Sequence, residues 1–237
     1  MITMPENFFK EGKLLLDTVA PEGVVASAET SPWLMHILVV VFVILAIVTL
    51  KPFLQLFPYL ADCLFRLRGS AALENSIRVS HNRNLIAAVL TIPAVLLCYR
   101  YRLYNPSFLS GLDPNLRLAG VALALLAYIV LRLLLFLWMR PRRRGDVFRQ
   151  AHRLVYTYFI FLMLLILPTL GVLWLVGVED VTMRMVLYGE TALVFALFLY
   201  RFAQILSLSC NRLRTFLYLC ALEILPAALL VISAVVL

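Results

Sequence analysis

The sequence predicts an all-α fold, a polytopic transmembrane helix bundle of about six spans with both termini on the outer side. Three observations carry this. Of 237 residues, 63% are hydrophobic and only 14% charged, with a mean hydropathy of +0.96. A water-soluble domain of this size has to present polar groups outward, whereas a bilayer protein meets lipid tails there. Apolar runs of bilayer length, about twenty residues, recur along the chain. Basic residues concentrate in alternate connections.

Residues 1–32 read as a polar N-terminal arm with one amphipathic turn around Phe8, Phe9 and Leu14. The mixed charge and the short Leu14–Leu16 run predict no cleaved signal. The transmembrane domain covers 33–237. Its first span, 33–50, has Trp33 and Lys51 as interfacial anchors and is expected to stop at Lys51-Pro52. The stretch 53–68 alternates Phe53, Leu56, Phe57, Leu60 and Phe65 with Arg66 and Arg68, the pattern of an amphipathic helix lying in the interface. The further spans are 84–99 (with Pro93), 116–139, 154–176 (with Pro168 and Gly171), 185–206 and 216–237 (with Pro226). Arg100 and Arg102 extend the second to Tyr104 if they snorkel.

Orientation follows from Lys and Arg in the short connections. The first, third and fifth connections hold thirteen, including the Arg142–Arg144 run, against six on the other side. The odd connections are therefore expected in the cytoplasm. Attraction to anionic headgroups, about 1 kcal/mol per basic residue, accounts for the net charge of +8. Nucleic-acid binding is not expected, and the bilayer with its anionic headgroups is the expected partner, together with other membrane proteins.

Charged residues inside the spans mark the candidate site. Arg132, Arg201 and Glu223 are each expected roughly 8–10 Å inside the cytoplasmic boundary, from the rise per residue. A carboxylate in hydrocarbon requires a partner, and an arginine fork is the geometry that best offsets desolvation. Tyr128 lies one turn before Arg132 and is placed in the same cluster. Glu190 and Arg201 fall on one face of the fifth span, with Gln204 close to it. Glu190, nearer the outer side, is read as solvated or paired with Arg117 or Arg184. On the last span Cys220, Glu223, Ala227 and Ala234 share a small-residue face suited to helix contact.

His36, His81 and His152 have no ligand spacing, and Cys63, Cys98, Cys210 and Cys220 form no CxxC pair. Neither a metal site, a cofactor nor a disulfide is implied. No GxSxG, P-loop, GxGxxG or DxxD-type motif is present, so no catalytic residue is assigned.

The closing run FLYLCALEILP, with Tyr218, Cys220, Leu222, Glu223, Ile224, Leu225 and Pro226, resembles the last segment of a bacterial family of integral membrane proteins known only as a domain of unknown function. That resemblance implies a multi-pass protein of the bacterial cytoplasmic (inner) membrane and implies no activity. The leading expectation is a non-catalytic subunit or assembly factor of a cell-envelope complex. The alternative is a small proton-coupled transporter using Glu223, Arg201 and Arg132. A lesser alternative is a lipid-modifying enzyme drawing on His81, Asn82 and Asn84 or on His152 and Arg153.

Overall fold

The computed structural model describes residues 32–65, 77–139, 145–207 and 212–236, all within the compact unit Pro32–Leu237. The polar arm before Pro32, the Arg66 and Arg68 end of the expected interfacial helix, and the Arg142–Arg144 turn lie outside the described residues. The elements are α1 (Trp33–Phe65), α2 (Ile77–Arg100), α3 (Ser107–Ser110), α4 (Pro114–Met139), α5 (Gly145–Val176), α6 (Asp180–Ser207), α7 (Arg212–Leu219), a π-helical turn π1 (Cys220–Ile224) and α8 (Leu225–Val236). No strand occurs among the described residues.

Among the described residues six stretches are long and apolar enough to cross a membrane: Trp33–Pro58, Ser80–Arg100, Pro114–Met139, Arg153–Val176, Asp180–Ser207 and Thr215–Ala234. Each overlaps a span expected from sequence. The exposed surface carries large apolar side chains from every one, among them Ile47, Leu85, Leu134, Trp174, Leu193 and Ile232. Such a surface suits lipid tails, which accept apolar contact on all sides.

The first span does not stop where Lys51-Pro52 predicts. α1 continues through Pro52 and Pro58 to Phe65, so 53–65 is the second half of one helix. Its Leu56 and Leu60 enter the central core, with Leu56 only 1% exposed. Breaking the helix would leave several backbone groups without partners in an apolar setting, whereas an internal proline forfeits one bond. The second span likewise begins a turn earlier than expected, at Ser80.

Local chemistry sets the helix ends. α4 opens on Pro114, whose missing N–H costs nothing in the first turn, and the Asp113 carbonyl accepts the first bond from Arg117 N–H at 2.9 Å. α6 opens with Asp180 in its first turn, on the favourable end of the helix dipole. α5 closes in a Schellman motif: Val178 N–H donates to Leu173 O and Gly177 N–H to Trp174 O, both at 3.1 Å. The motif places Gly177 at φ +74, left-handed backbone that glycine adopts freely. α2 closes the same way on Arg102, at φ 50, with Leu103 N–H reaching Cys98 O at 3.0 Å. α3 lays Leu109 against Gly120 of α4, where a Cβ would stand 2.6 Å from the leucine methyl.

Two cores hold the bundle. The larger joins Leu56, Ile86, Tyr158, Phe198, Phe202, Ile205 and Leu222. Within it the rings of Tyr158 and Phe198, and of Phe198 and Phe202, lie 5.7 Å apart in edge or tilted contact. The smaller joins Ile166, Leu170, Met183 and Leu187, flanked by Leu97, Tyr101 and Val178. The cores draw on different stretches: Leu97, Tyr101, Leu103 and Val178 flank the second, whereas Leu56, Leu60, Ile86, Leu154 and Tyr158 belong to the first.

Replacing Gly177 with alanine meets no atom within 4 Å, so the expected penalty is conformational only. Gly177→Ala should lower stability by about 1–2 kcal/mol, read as a lower thermal midpoint in detergent. An unchanged midpoint would show that the Schellman closure does not limit stability.

Candidate functional site: a carboxylate locked between the third and sixth spans

The last span is not a uniform α-helix. Pro226 has no N–H to give to residue 222, and its ring crowds that carbonyl. One turn earlier the backbone widens into π1, where Leu225 N–H donates to Cys220 O, five residues back. Such a turn inserts one residue into the helix and re-aims the side chains it contains. Leu222 and Glu223 are both buried in it. Cys220, Ala227 and Ala234 are half-buried, while Pro226 takes the buried position below Glu223. The expected small-residue face is therefore rotated by the inserted residue.

Glu223, 2% exposed, meets Arg132 of α4, itself buried. Arg132 Nε donates to Oε2 at 3.0 Å and Nη2 donates to Oε1, a bidentate fork on both carboxylate oxygens. Tyr128, one turn before Arg132, is half-buried and within electrostatic reach of both charges. Of the four residues the sequence groups, the structure brings Arg132 and Glu223 into contact, with Tyr128 one turn away on α4.

It does not bring in Arg201. That side chain turns to Gln204 on its own helix, Nη1 donating to Oε1 at 3.2 Å. Arg201 was placed at the right depth, but depth leaves open which neighbour its side of the helix meets. Glu190 also departs from expectation. Its Oε2 accepts from the Thr169 hydroxyl of α5 at 3.1 Å. Arg117 instead donates to Asn105 Oδ1 at 2.7 Å and lies over the Tyr99 ring. Arg184 makes no pair with Glu190, and its Nε is buried without a hydrogen-bond partner among the described residues.

Two features escaped the sequence. Arg83, counted among connection cations, is 2% exposed and lies 3.4 Å from Ser80 Oγ. Arg153 Nη1 reaches the same hydroxyl at 3.5 Å, so the start of the second span meets that of the fourth. At the opposite end the Tyr104 and Ser233 hydroxyls lie 3.2 Å apart, tying the loop after α2 to α8. The exposed Arg100–Asp180 contact at 3.8 Å contributes little. Among the described residues no three His, Cys, Asp or Glu side chains gather as metal ligands, and Cys98 and Cys220 are free thiols.

Chemically, the Arg132–Glu223 unit is a charge-neutral clamp between two spans. Removing one partner strands the other in low dielectric, at about 3–5 kcal/mol. Replacing both with apolar residues leaves nothing stranded. Glu223→Leu and Arg132→Leu should therefore each sharply reduce abundance and detergent thermal midpoint, while the double variant recovers most of the loss. Additive losses in that double-mutant cycle would show that the two side chains are not energetically coupled.

No family model, curated protein or solved structure matches the chain.

Proposed function

We propose that this chain is a non-catalytic transmembrane subunit or assembly factor of a cell-envelope complex in a bacterial cytoplasmic membrane, with both termini outside. One observation carries the reading: both oxygens of the most deeply buried carboxylate among the described residues are bonded by an arginine from another span. A group so held fixes which helices meet, with its charge already neutralised by the guanidinium fork. The bacterial inner membrane is inferred from the resemblance of Phe216–Pro226 to a bacterial family. The orientation rests on thirteen basic residues in the odd connections against six elsewhere.

The second reading, a proton-coupled transporter, is favoured by one feature: Glu223 lies within a π turn beside Pro226, and such turns are frequent at functional sites. Under it, a proton bound at Glu223 alternates with the Arg132 bond. An enzyme reading has no comparable support.

Native gels of mildly solubilised membranes, with crosslinking before extraction, separate these. The subunit reading expects the chain in one discrete heteromeric band, retained in the Arg132→Leu/Glu223→Leu double variant. Migration as a single species, with pH-driven uptake in proteoliposomes that the double variant abolishes, would replace it with the transporter. For orientation, a phosphatase reporter fused after Leu237 should be active outside the cytoplasm, and activity of one inserted at Arg142–Arg144 would overturn the assignment.

A further inference from the structure

The chain holds a second carboxylate inside a span, in very different company. Glu190 is the eleventh residue of the 28-residue helix α6, about 15 Å along from Asp180 at the helical rise. Its one hydrogen bond comes from the Thr169 hydroxyl at 3.1 Å. That hydroxyl is a weak partner. It has a single hydrogen and also stands 3.0 Å from Leu165 O and 2.9 Å from Ile166 O of its own helix. No cation of the described residues pairs with Glu190.

Its position on the helix is equally telling. On one side of Glu190 the α6 surface is buried at Leu187 and Val194, and on the other it is exposed at Leu193 (58%) and Leu197. On α5, Thr169 stands between buried Leu170 and exposed Val172 (59%). The half-exposed carboxylate therefore lies at the rim of the α5–α6 contact, beside an open apolar seam. Lipid tails offer that seam no donor, and an intramembrane carboxylate without one is costly.

We infer that the α5–α6 seam is the docking surface for a transmembrane helix of a different polypeptide, which presents a Lys or Arg to Glu190 in the outer half of the membrane. Charge complementarity selects this occupant. A lipid headgroup remains at the outer boundary, about 8 Å away for a span that begins near residue 185. A second copy docking symmetrically across the same seam would bring two Glu190 carboxylates to one level, like charge against like. The inference rests on the subunit reading above and adds the partner's chemistry and its place.

The test installs a benzophenone amino acid at Leu193 and, as control, at exposed Leu134 of α4. Both are irradiated in native membranes, and adducts are identified by mass spectrometry. The expected Leu193 adduct is an apolar segment of another polypeptide with a Lys or Arg in its outer half. Glu190→Leu should reduce that adduct at least about fivefold while abundance and the Leu134 adducts hold. Glu190→Lys combined with Glu in place of the partner's basic residue should restore it. Should Glu190→Leu fail to accumulate, Glu190→Gln reports the same loss with the shape preserved. Adducts to lipid alone or to a second copy, a partner segment without a basic residue, or an adduct indifferent to Glu190 would each overturn the inference. A wild-type heteromeric band that persists with such indifferent adducts sinks this inference alone. Absence of the band sinks the subunit reading itself.

Discussion

Hydrocarbon supplies neither donors nor acceptors, so every polar group carried into it has to be satisfied by the chain or by a partner. The Arg132–Glu223 pair is the strongest expression of that constraint here. The same demand runs through the smaller features. Thr49 returns its hydroxyl to Leu45 O at 2.7 Å within α1, and α2 and α5 close their outgoing carbonyls in Schellman turns. α1 continues as helix through two prolines. Each arrangement keeps the backbone or a side chain from facing lipid with an unused valence.

A buried ion pair is a poor source of net stability, because the desolvation of both charges roughly cancels their attraction. Its value lies in selection. An apolar span slides and rotates against its neighbours at little cost, since one packing of leucines resembles another and lipid is as apolar as either. A guanidinium fork that must meet a carboxylate allows one register between α4 and the last span. π1 contributes to the same end. By inserting one residue ahead of Pro226 it turns Glu223 inward toward α4, so a backbone irregularity and a charge act as one device.

The two intramembrane carboxylates therefore divide the work. Glu223 faces inward, is bonded to an arginine at both oxygens, and fixes the register of α4 against the last span. Glu190 lies at a rim and accepts from a hydroxyl shared with the α5 backbone. Arg201, which sequence position groups with both, serves neither and turns along its own helix to Gln204. For a protein with little soluble surface among its described residues, this contrast separates a carboxylate paired within the bundle from one at its rim.

Much of this was legible in the residues themselves. Length and composition determine how many spans there are, because a run either reaches across the bilayer or does not. The fixed rise of a helix then sets how deep each charge lies, which is why Arg132 and Glu223, which do meet, were put at one level, and why Arg201 was put there too. Depth is a one-dimensional quantity, however, and the remaining questions were angular. Which way Arg201 points, which helix supplies the hydroxyl to Glu190, and that Arg83 turns inward all depend on how helices are arranged around the bundle axis. That arrangement comes from packing between Leu56, Ile86, Tyr158, Phe198 and Leu222, residues far apart in the chain. The continuity of α1 and the π turn were hidden for a related reason: proline weighs against a helix locally, and only the apolar surroundings of the folded bundle outweigh it.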